Sequence, residues 1–579
     1  MKRNGEVMCF DTAAAALMLL CVALGSSACR PPAANSSTDS NLEAPWMENI
    51  TDRSGVRFTH FAGTNYSMPD QVGSGIVLFD YDRDGHLDLL LLQNAGAGSD
   101  HRNQLFHQEK DGTFRDASAG SGLDVAGRFM GACAGDVNND GSPDVLVTEY
   151  GAVRLFLNLG SGHFKEMAHA AGIDNPQWAA PASFLDYDRD GWLDVVVGNY
   201  LDFDPTQSCR DSRGQQDFCA PKNFGETPTR LWRNLTRVRG AAPQFEERTA
   251  AAGLSRNPGA AMGLVCADFD GDGWVDIFCA DDGRPNRLFL NRRDGTFREE
   301  ALQRGLALNT MGGTAANMGT SLADINHDGL GDLLITHLTE EYHSFYLQGP
   351  RGLFVDQVAA TGLQQQAWRG TGFGVVLADF NCDGQLDAAW ANGLVRRATP
   401  NQTPVAVGVD PWWGRYAQRA QIFTGIEGGR FRDISPANAA FSGTAIVGRS
   451  LAVGDLDGDG GLDLVMASVG GPVQVFRNVS PHRGHWLELA LLDPASGDRD
   501  MIGSEVVVRS GSQRWWSILQ PAMSYLCSHA PLIHVGLGAV SRVDAIEVLW
   551  PSGSRETFST DRVDSLQTLR AGQGTLLNP

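Results

Sequence analysis

One acidic pattern, D-x-[DN]-x-D-G-x-x-D followed by an apolar run, occurs seven times in this chain of 579 residues. The copies open at Asp80, Asp136, Asp186, Asp268, Asp324, Asp379 and Asp455, with successive spacings of 56, 50, 82, 56, 55 and 76 residues. A unit that recurs at such a period cannot bury its own apolar face, so neighbouring copies must stack into an array or ring. The two long spacings are ordinary repeats that carry insertions. One repeating domain therefore replaces the three or four domains that length alone suggests at about 100–200 residues each.

The pattern suits a hard cation. Calcium takes oxygen ligands, and carboxylates at alternate positions of a tight turn converge on one point, while glycine at position six permits the reversal. The expected ligands are Asp80, Asp82, Asp84 and Asp88; Asp136, Asn138, Asp140 and Asp144; Asp186, Asp188, Asp190 and Asp194; and Asp268, Asp270, Asp272 and Asp276. The remaining three sets are Asp324, Asn326, Asp328 and Asp332; Asp379, Asn381, Asp383 and Asp387; and Asp455, Asp457, Asp459 and Asp463. An EF-hand is excluded, because position twelve of the first copy is Leu91 and the runs LLLL, VLV, VVV and LLI read as buried strands rather than a helix. About seven Ca2+ ions would lower the formal charge of −22 to −8. Without metal each cluster is self-repelling, so the metal-loaded form is expected to be far more stable. The role expected for these ions is to staple hairpins, not to catalyse.

Each acidic loop is followed by an aromatic strand and a turn, as in NQLFHQEKDGTFRDASAGSGL, VRLFLNLGSGHFKEMAHAAGI and NRLFLNRRDGTFREEALQRGL. Four short strands per repeat, seven times over, predict an all-β fold: a seven-bladed β-propeller over residues 46–480. The seventh copy lacks its last strand, and the segment from Pro45 to Val56 has that strand's character, so the N-terminal segment is expected to complete the last blade. The repeats resemble the FG-GAP/VCBS calcium-loop repeats of integrin-alpha-like propellers. Residues 484–572 read as a small β domain of alternating strands, among them GHWLELALL, SYLCSHAPLIHVGLG and VDAIEVLWPSG, and resemble the ASPIC/UnbV domain that follows a calcium propeller in the cartilage acidic protein-like family.

The acidic balance argues against nucleic acid as a partner. Residues 1–29 read as a signal peptide, with Lys2 and Arg3 ahead of an apolar run, and Cys29 stands where a lipobox would place it, although Ser26 replaces the preferred leucine. A lipoprotein and an ordinarily cleaved export signal both remain open, with residues 30–45 as a tether; a lipid anchor would be the only link to a membrane. The protein is expected outside the cytoplasm, secreted or anchored to the envelope. Seven cysteines follow Cys29; Cys209–Cys219 is the favoured disulfide and Cys266–Cys279 a second candidate. Asn234 heads an Asn-x-Thr glycosylation pattern.

If the acidic loops join strands one and two of each blade, both insertions and the interblade connections fall on the opposite rim. Trp178, Tyr200, Trp368, Arg369, Trp412 and Trp413 are candidates there for binding a protein or glycan ligand, with Tyr66, Arg128 and Phe203 nearby in the sequence pattern. The competing reading has these aromatics packing the insertions onto the blades. Catalysis finds no HExxH, GxSxG or P-loop; an enzyme acting on a polysaccharide or secreted metabolite at the propeller mouth, through Glu149, Asp202, Asp281 or Glu341, is the alternative function.

Overall fold

The computed structural model describes residues 44–365, 368–397, 404–481 and 483–577, so the export segment, Cys29 and nearly all of the tether lie outside the described residues. Strands dominate, and the helices are single turns. No helix among the described residues is long and apolar enough to cross a membrane.

The architecture follows from how the apolar runs are shared. Seven antiparallel four-stranded sheets form in sequence order, two of them extended by one short extra strand. Sheet 1 orders Ile76–Phe79, Asp88–Leu91, Gln104–Gln108 and Phe114–Asp116 from the inside outwards. Side chains alternate between the two faces of a strand, and here both faces are covered. Leu89 and Leu91 join a cluster with Ala452 and Val465 of sheet 7, whereas Leu90 joins one with Phe129 and Val145 of sheet 2. That double burial explains an uninterrupted LLLL where a one-sided sheet would alternate. Equivalent clusters fill the interfaces of sheets 2 and 3, 3 and 4, 4 and 5, 5 and 6, and 6 and 7. The inner strands touch their neighbours all the way round, the first strand of sheet 7 meeting that of sheet 1. The result is a propeller-like ring. Met47–Asn49 supplies the fourth strand of sheet 7, with Met47 opposite Asn478 and Asn49 opposite Phe476, as the sequence predicts.

The C-terminal domain starts at strand His485–Asp493, which pairs in parallel with Ser565–Arg570 and antiparallel with Ile533–Gly538. A second sheet holds Gln513–Ile518, Glu505–Ser510, Ala545–Leu549, Arg555–Phe558 and Thr575–Leu576, the last of these beyond the predicted limit at residue 572. The two sheets enclose one core that includes Leu487, Leu489, Leu491, Val506, Val508, Ile546 and Trp550.

The largest departure from expectation is the segment SYLCSHAPLIHVGLG. Instead of one strand, residues 519–531 thread the axis of the ring. Ser524 and Leu526 adopt φ of 68° and 54°, which breaks any extended run. Ser524 exchanges backbone hydrogen bonds of 2.9 and 2.7 Å with Thr320 of sheet 5, and its hydroxyl donates to Leu451 O of sheet 7 at 2.9 Å and accepts from Val375 N of sheet 6 at 2.9 Å. Gln520 reaches Cys266 O of sheet 4 and Ser183 of sheet 3, and Cys527–Ser528 pairs in parallel with Ile76 and Val77 of sheet 1. Sheet 2 is met through Gly131, where a β-carbon would lie 2.9 Å from Leu526 Cα, so glycine is needed for the approach. One segment thus contacts all seven inner strands.

Cys209 and Cys219 form a disulfide. Cys266 and Cys279 do not: Cys279 lies opposite Leu264 and Cys266 opposite Ile277, a diagonal offset in the sheet, and both thiols are free and buried.

Candidate functional site

The seven acidic loops share one wiring scheme. The first aspartate accepts from the backbone N–H of position six, at 2.9 Å for Asp80 and Gly85, 2.7 Å for Asp136 and Gly141, and 2.7 Å for Asp455 and Gly460. The last aspartate accepts from the N–H of position two with one oxygen and from the third strand with the other, as Asp194 does from Tyr187 and Asn234. Two residues per loop sit in the left-handed region. Position six is glycine throughout, with φ from 81° to 100° across the seven copies. Position four is glycine only at Gly271 and Gly458; Arg83, Asn139, Arg189, His327 and Cys382 take φ of 54–58° instead. The turn therefore tolerates any side chain at position four that points away, but not at position six.

These aspartates are deeply placed. Asp88, Asp144, Asp194, Asp332 and Asp387 are wholly buried at the base of their loops. Burial is the first cause of their raised pKa values, and neighbouring carboxylates of the same loop add to it. Asp88 is pushed up to about 8, Asp186 and Asp332 to about 7, and Asp136 and Asp324 to about 6. Asp144, Asp194, Asp276, Asp387 and Asp463 rise well above the ordinary carboxylate range.

The copies differ in how one negative charge is offset. Where position three is aspartate, an arginine enters three of the four loops, Arg233 at 2.5 Å from Asp188, Arg293 at 2.8 Å from Asp272 and Arg477 at 2.5 Å from Asp457, and in the first copy the His107 ring stands 3.2 Å from Asp88. Where position three is asparagine, its amide donates to the position-five aspartate, from Asn138 to Asp140 at 2.9 Å, Asn326 to Asp328 at 3.0 Å and Asn381 to Asp383 at 3.0 Å. Carboxylate oxygens close enough to hold one ion occur in the first, third, fourth and seventh copies. In those four copies the converging carboxylate oxygens fit a hard divalent cation.

A further group escaped the sequence reading. An amide on the third strand ties six of the seven sheets to the loop before it: Asn158 donates to Tyr81 O at 2.9 Å, Asn234 to Val137 O at 2.8 Å, Asn291 to Tyr187 O at 2.8 Å and Asn478 to Phe380 O at 2.7 Å. Gln348 reaches Phe269 O, and Gln108 closes the circle on Leu456 O at 2.7 Å. The signal was the recurring polar amide after the LF pair. Asn234, buried and bonded in this way, is not displayed for glycosylation.

The C-terminal domain sits on the acidic-loop rim and grips loop backbones. Arg499 donates to Gly191 O at 3.1 Å, Arg514 to His327 O at 3.1 Å, Gly484 N to Asn381 O at 3.1 Å and Gly538 N to Cys382 O at 2.9 Å. On the opposite rim the two insertions meet each other. Phe218 stacks on Trp413 with centroids 5.7 Å apart, and Tyr416 donates to Asp217 at 3.0 Å. Trp178, Tyr200 and Trp413 are therefore corrected from displayed ligand contacts to packing residues, each at most 2% exposed. Trp412 is half-buried against Tyr66, while Trp368 and Arg369 stay partly exposed, stacked with Arg419 and Tyr342 respectively. An open cleft of about 320 Å3 on this rim is lined by Tyr66, Arg128, Tyr150 and Phe203, away from Trp368 and Arg369, which do not line it. Of the carboxylates offered for catalysis, Glu149 is held by Arg154 at 2.8 Å, Asp281 by Arg287 at 2.8 Å, Glu341 accepts from Ala316 N at 2.9 Å, and Asp202 is exposed.

Comparison with known proteins agrees with this geometry. The FG-GAP-like repeat family matches residues 80–147, 136–197 and 268–335, and the ASPIC and UnbV family matches residues 494–576. The chain carries FG-GAP-like repeats and an ASPIC/UnbV domain. Cartilage acidic protein 1 of Xenopus tropicalis is 24% identical over 520 residues, covering 85% of this chain and 72% of that protein. The Mus musculus protein of the same name is 23% identical over 537 residues, covering 87% and 74%. Among solved structures, an Agrocybe aegerita lectin aligns with a TM-score of 0.37 at 15% identity, covering 70% of this chain and 90% of the lectin. Loops six and seven lie outside the FG-GAP match, although their wiring is the same. The segment threaded through the ring belongs to the ASPIC/UnbV match.

Proposed function

We propose that this is an exported binding protein in which the seven FG-GAP loops hold calcium as a structural ion, and the rim opposite them receives a protein or glycan outside the cytoplasm. The observation that carries the reading is the open cleft of Tyr66, Arg128, Tyr150 and Phe203, where half-buried aromatic faces and a cation line a recess. Such faces stack on sugar rings or apolar side chains at small entropic cost. The acidic-loop rim is taken up by the ASPIC/UnbV domain, which leaves the opposite rim for partners. Calcium would supply the positive charge that the buried aspartates lack, while this chain's glycines and backbone N–H groups shape the loops before any ion arrives.

Glycan-array and envelope-protein capture by the intact protein in calcium tests the reading. Phe203→Ala and Tyr150→Ala should abolish capture with the fold retained. Unchanged capture by both variants would refute the assignment of the cleft.

A further inference from the structure

The acidic-loop rim of sheets 7, 1 and 2 does not meet the ASPIC/UnbV domain flush. Between them lies a cavity of about 680 Å3, within the roughly 300–1,000 Å3 of small-molecule sites. Alternation builds its far wall. Along strand His485–Asp493, Leu487, Leu489 and Leu491 turn into the domain core, and Trp486, Glu488, Ala490 and Leu492 turn into the cavity. Leu78 and Leu87 of sheet 1, Ile502 of the domain and Leu532 from the end of the threaded segment complete an apolar lining.

One carboxyl inside stands without a partner. Glu488 is only 5% exposed and has no hydrogen bond or ion pair among the described residues. Gln108 spends its amide on Leu456 O, which leaves its Oε1 buried and unpartnered. The Ser528 hydroxyl is fully buried and also unpartnered. Neither of those two oxygens is open to the cavity, so Glu488 is the buried, unpartnered carboxyl that faces it. Asp80, Asp455 and Asp500 also line it, whereas its cations, Arg83 and Lys110, are exposed at the mouth. Glu488 and Asp500 are not placed as a catalytic carboxylate pair. Asp500 lies opposite Leu492, four residues along the strand from Glu488, which sets the two about 13 Å apart at ~3.3 Å per residue.

We propose that this cavity binds a small molecule with a primary ammonium group on an apolar body. The ammonium pairs with Glu488, and the body lies against Leu78, Leu87, Ile502 and Leu532. The site is separate from the opposite rim and does not depend on the function proposed for it.

Calorimetric titration of the intact protein at saturating calcium, which neutralises the loops beside the cavity, tests this. The probes are 2-phenylethylammonium and its neutral counterpart 2-phenylethanol. The ammonium compound should bind at least about tenfold more tightly, as a buried charge-assisted contact requires. Glu488→Gln should erase that preference without lowering the melting temperature, since it removes an uncompensated carboxyl. Ala490→Trp should fill the space and block both probes; if it does not fold, Glu488→Gln alone decides. Equal affinity for the two probes, no binding of the ammonium probe, or an undiminished preference in Glu488→Gln would each overturn the proposal.

Discussion

Asn234 offers the sharpest test of what holds neighbouring sheets together. Its side chain is wholly buried, donates to Val137 O at 2.8 Å and Leu193 O at 2.9 Å, and accepts from Thr236 N at 2.9 Å. Asn234→Ala removes three bonds and strands buried partners, at about 1 kcal/mol per bond plus a desolvation term, or roughly 3–5 kcal/mol in all. With an unfolding entropy near ~2.1 cal/mol/K per residue over a body of this size, the melting temperature should fall by about 3–5 °C. Asn234→Asp should be worse, because it points a carboxylate at two carbonyl oxygens. Differential scanning calorimetry at saturating calcium is the assay. A shift below about 1 °C for Asn234→Ala would refute the reasoning that these amides carry the interface. Sheet 6 is the natural contrast. Gly425 stands where the amide would be, and a β-carbon there would lie 2.2 Å from Leu386 O, so that sheet forgoes the tie.

Three other outcomes are expected. His60 and His343 are held near 3, and His337, His529 and His534 near 4, chiefly by burial, so folding favours their neutral forms. Their contribution is present above the unfolded histidine value of about 6.5 and is lost as pH falls towards 3–4, which denaturant titrations in excess calcium at pH 7 and pH 5 should show as reduced stability. Trp413→Ala should cost about 3–5 kcal/mol because the ring is fully packed, whereas Trp412→Ala should cost distinctly less; equal losses in urea titrations would contradict the packing of the two insertions. A chain ended after Ser480 loses the segment that covers Val72, Met130, Met262, Met318 and Phe373, and should bind a hydrophobic dye that the whole protein does not.

How much of this was legible in the sequence depends on the range of the interaction. The acidic loops were, because a turn ligand set is local: Asp80 to Asp88 spell out both the reversal and the donors within nine residues. The all-β class, the seven sheets and the closing strand Met47–Asn49 followed from repetition. The threaded segment was not legible. Ser524, Tyr525 and Leu526 alternate in polarity as a strand would, and only contacts with residues up to 453 positions away decide that they run down the axis. Trp178, Tyr200 and Trp413 misled for the same reason, since an aromatic on a loop looks alike in sequence whether a ligand or another insertion covers it. The basic residues entering the loops, Arg233 and Arg477, hid inside strands where alternation alone made them surface positions.

The account rests on divalent ions in the acidic loops, and their stoichiometry tests it most directly. Elemental analysis of the intact protein, exhaustively dialysed against dilute calcium, should find about seven calcium ions per chain, and their removal by chelator should lower the melting temperature sharply. Less than one ion per chain, or a melting temperature indifferent to chelator, would contradict it.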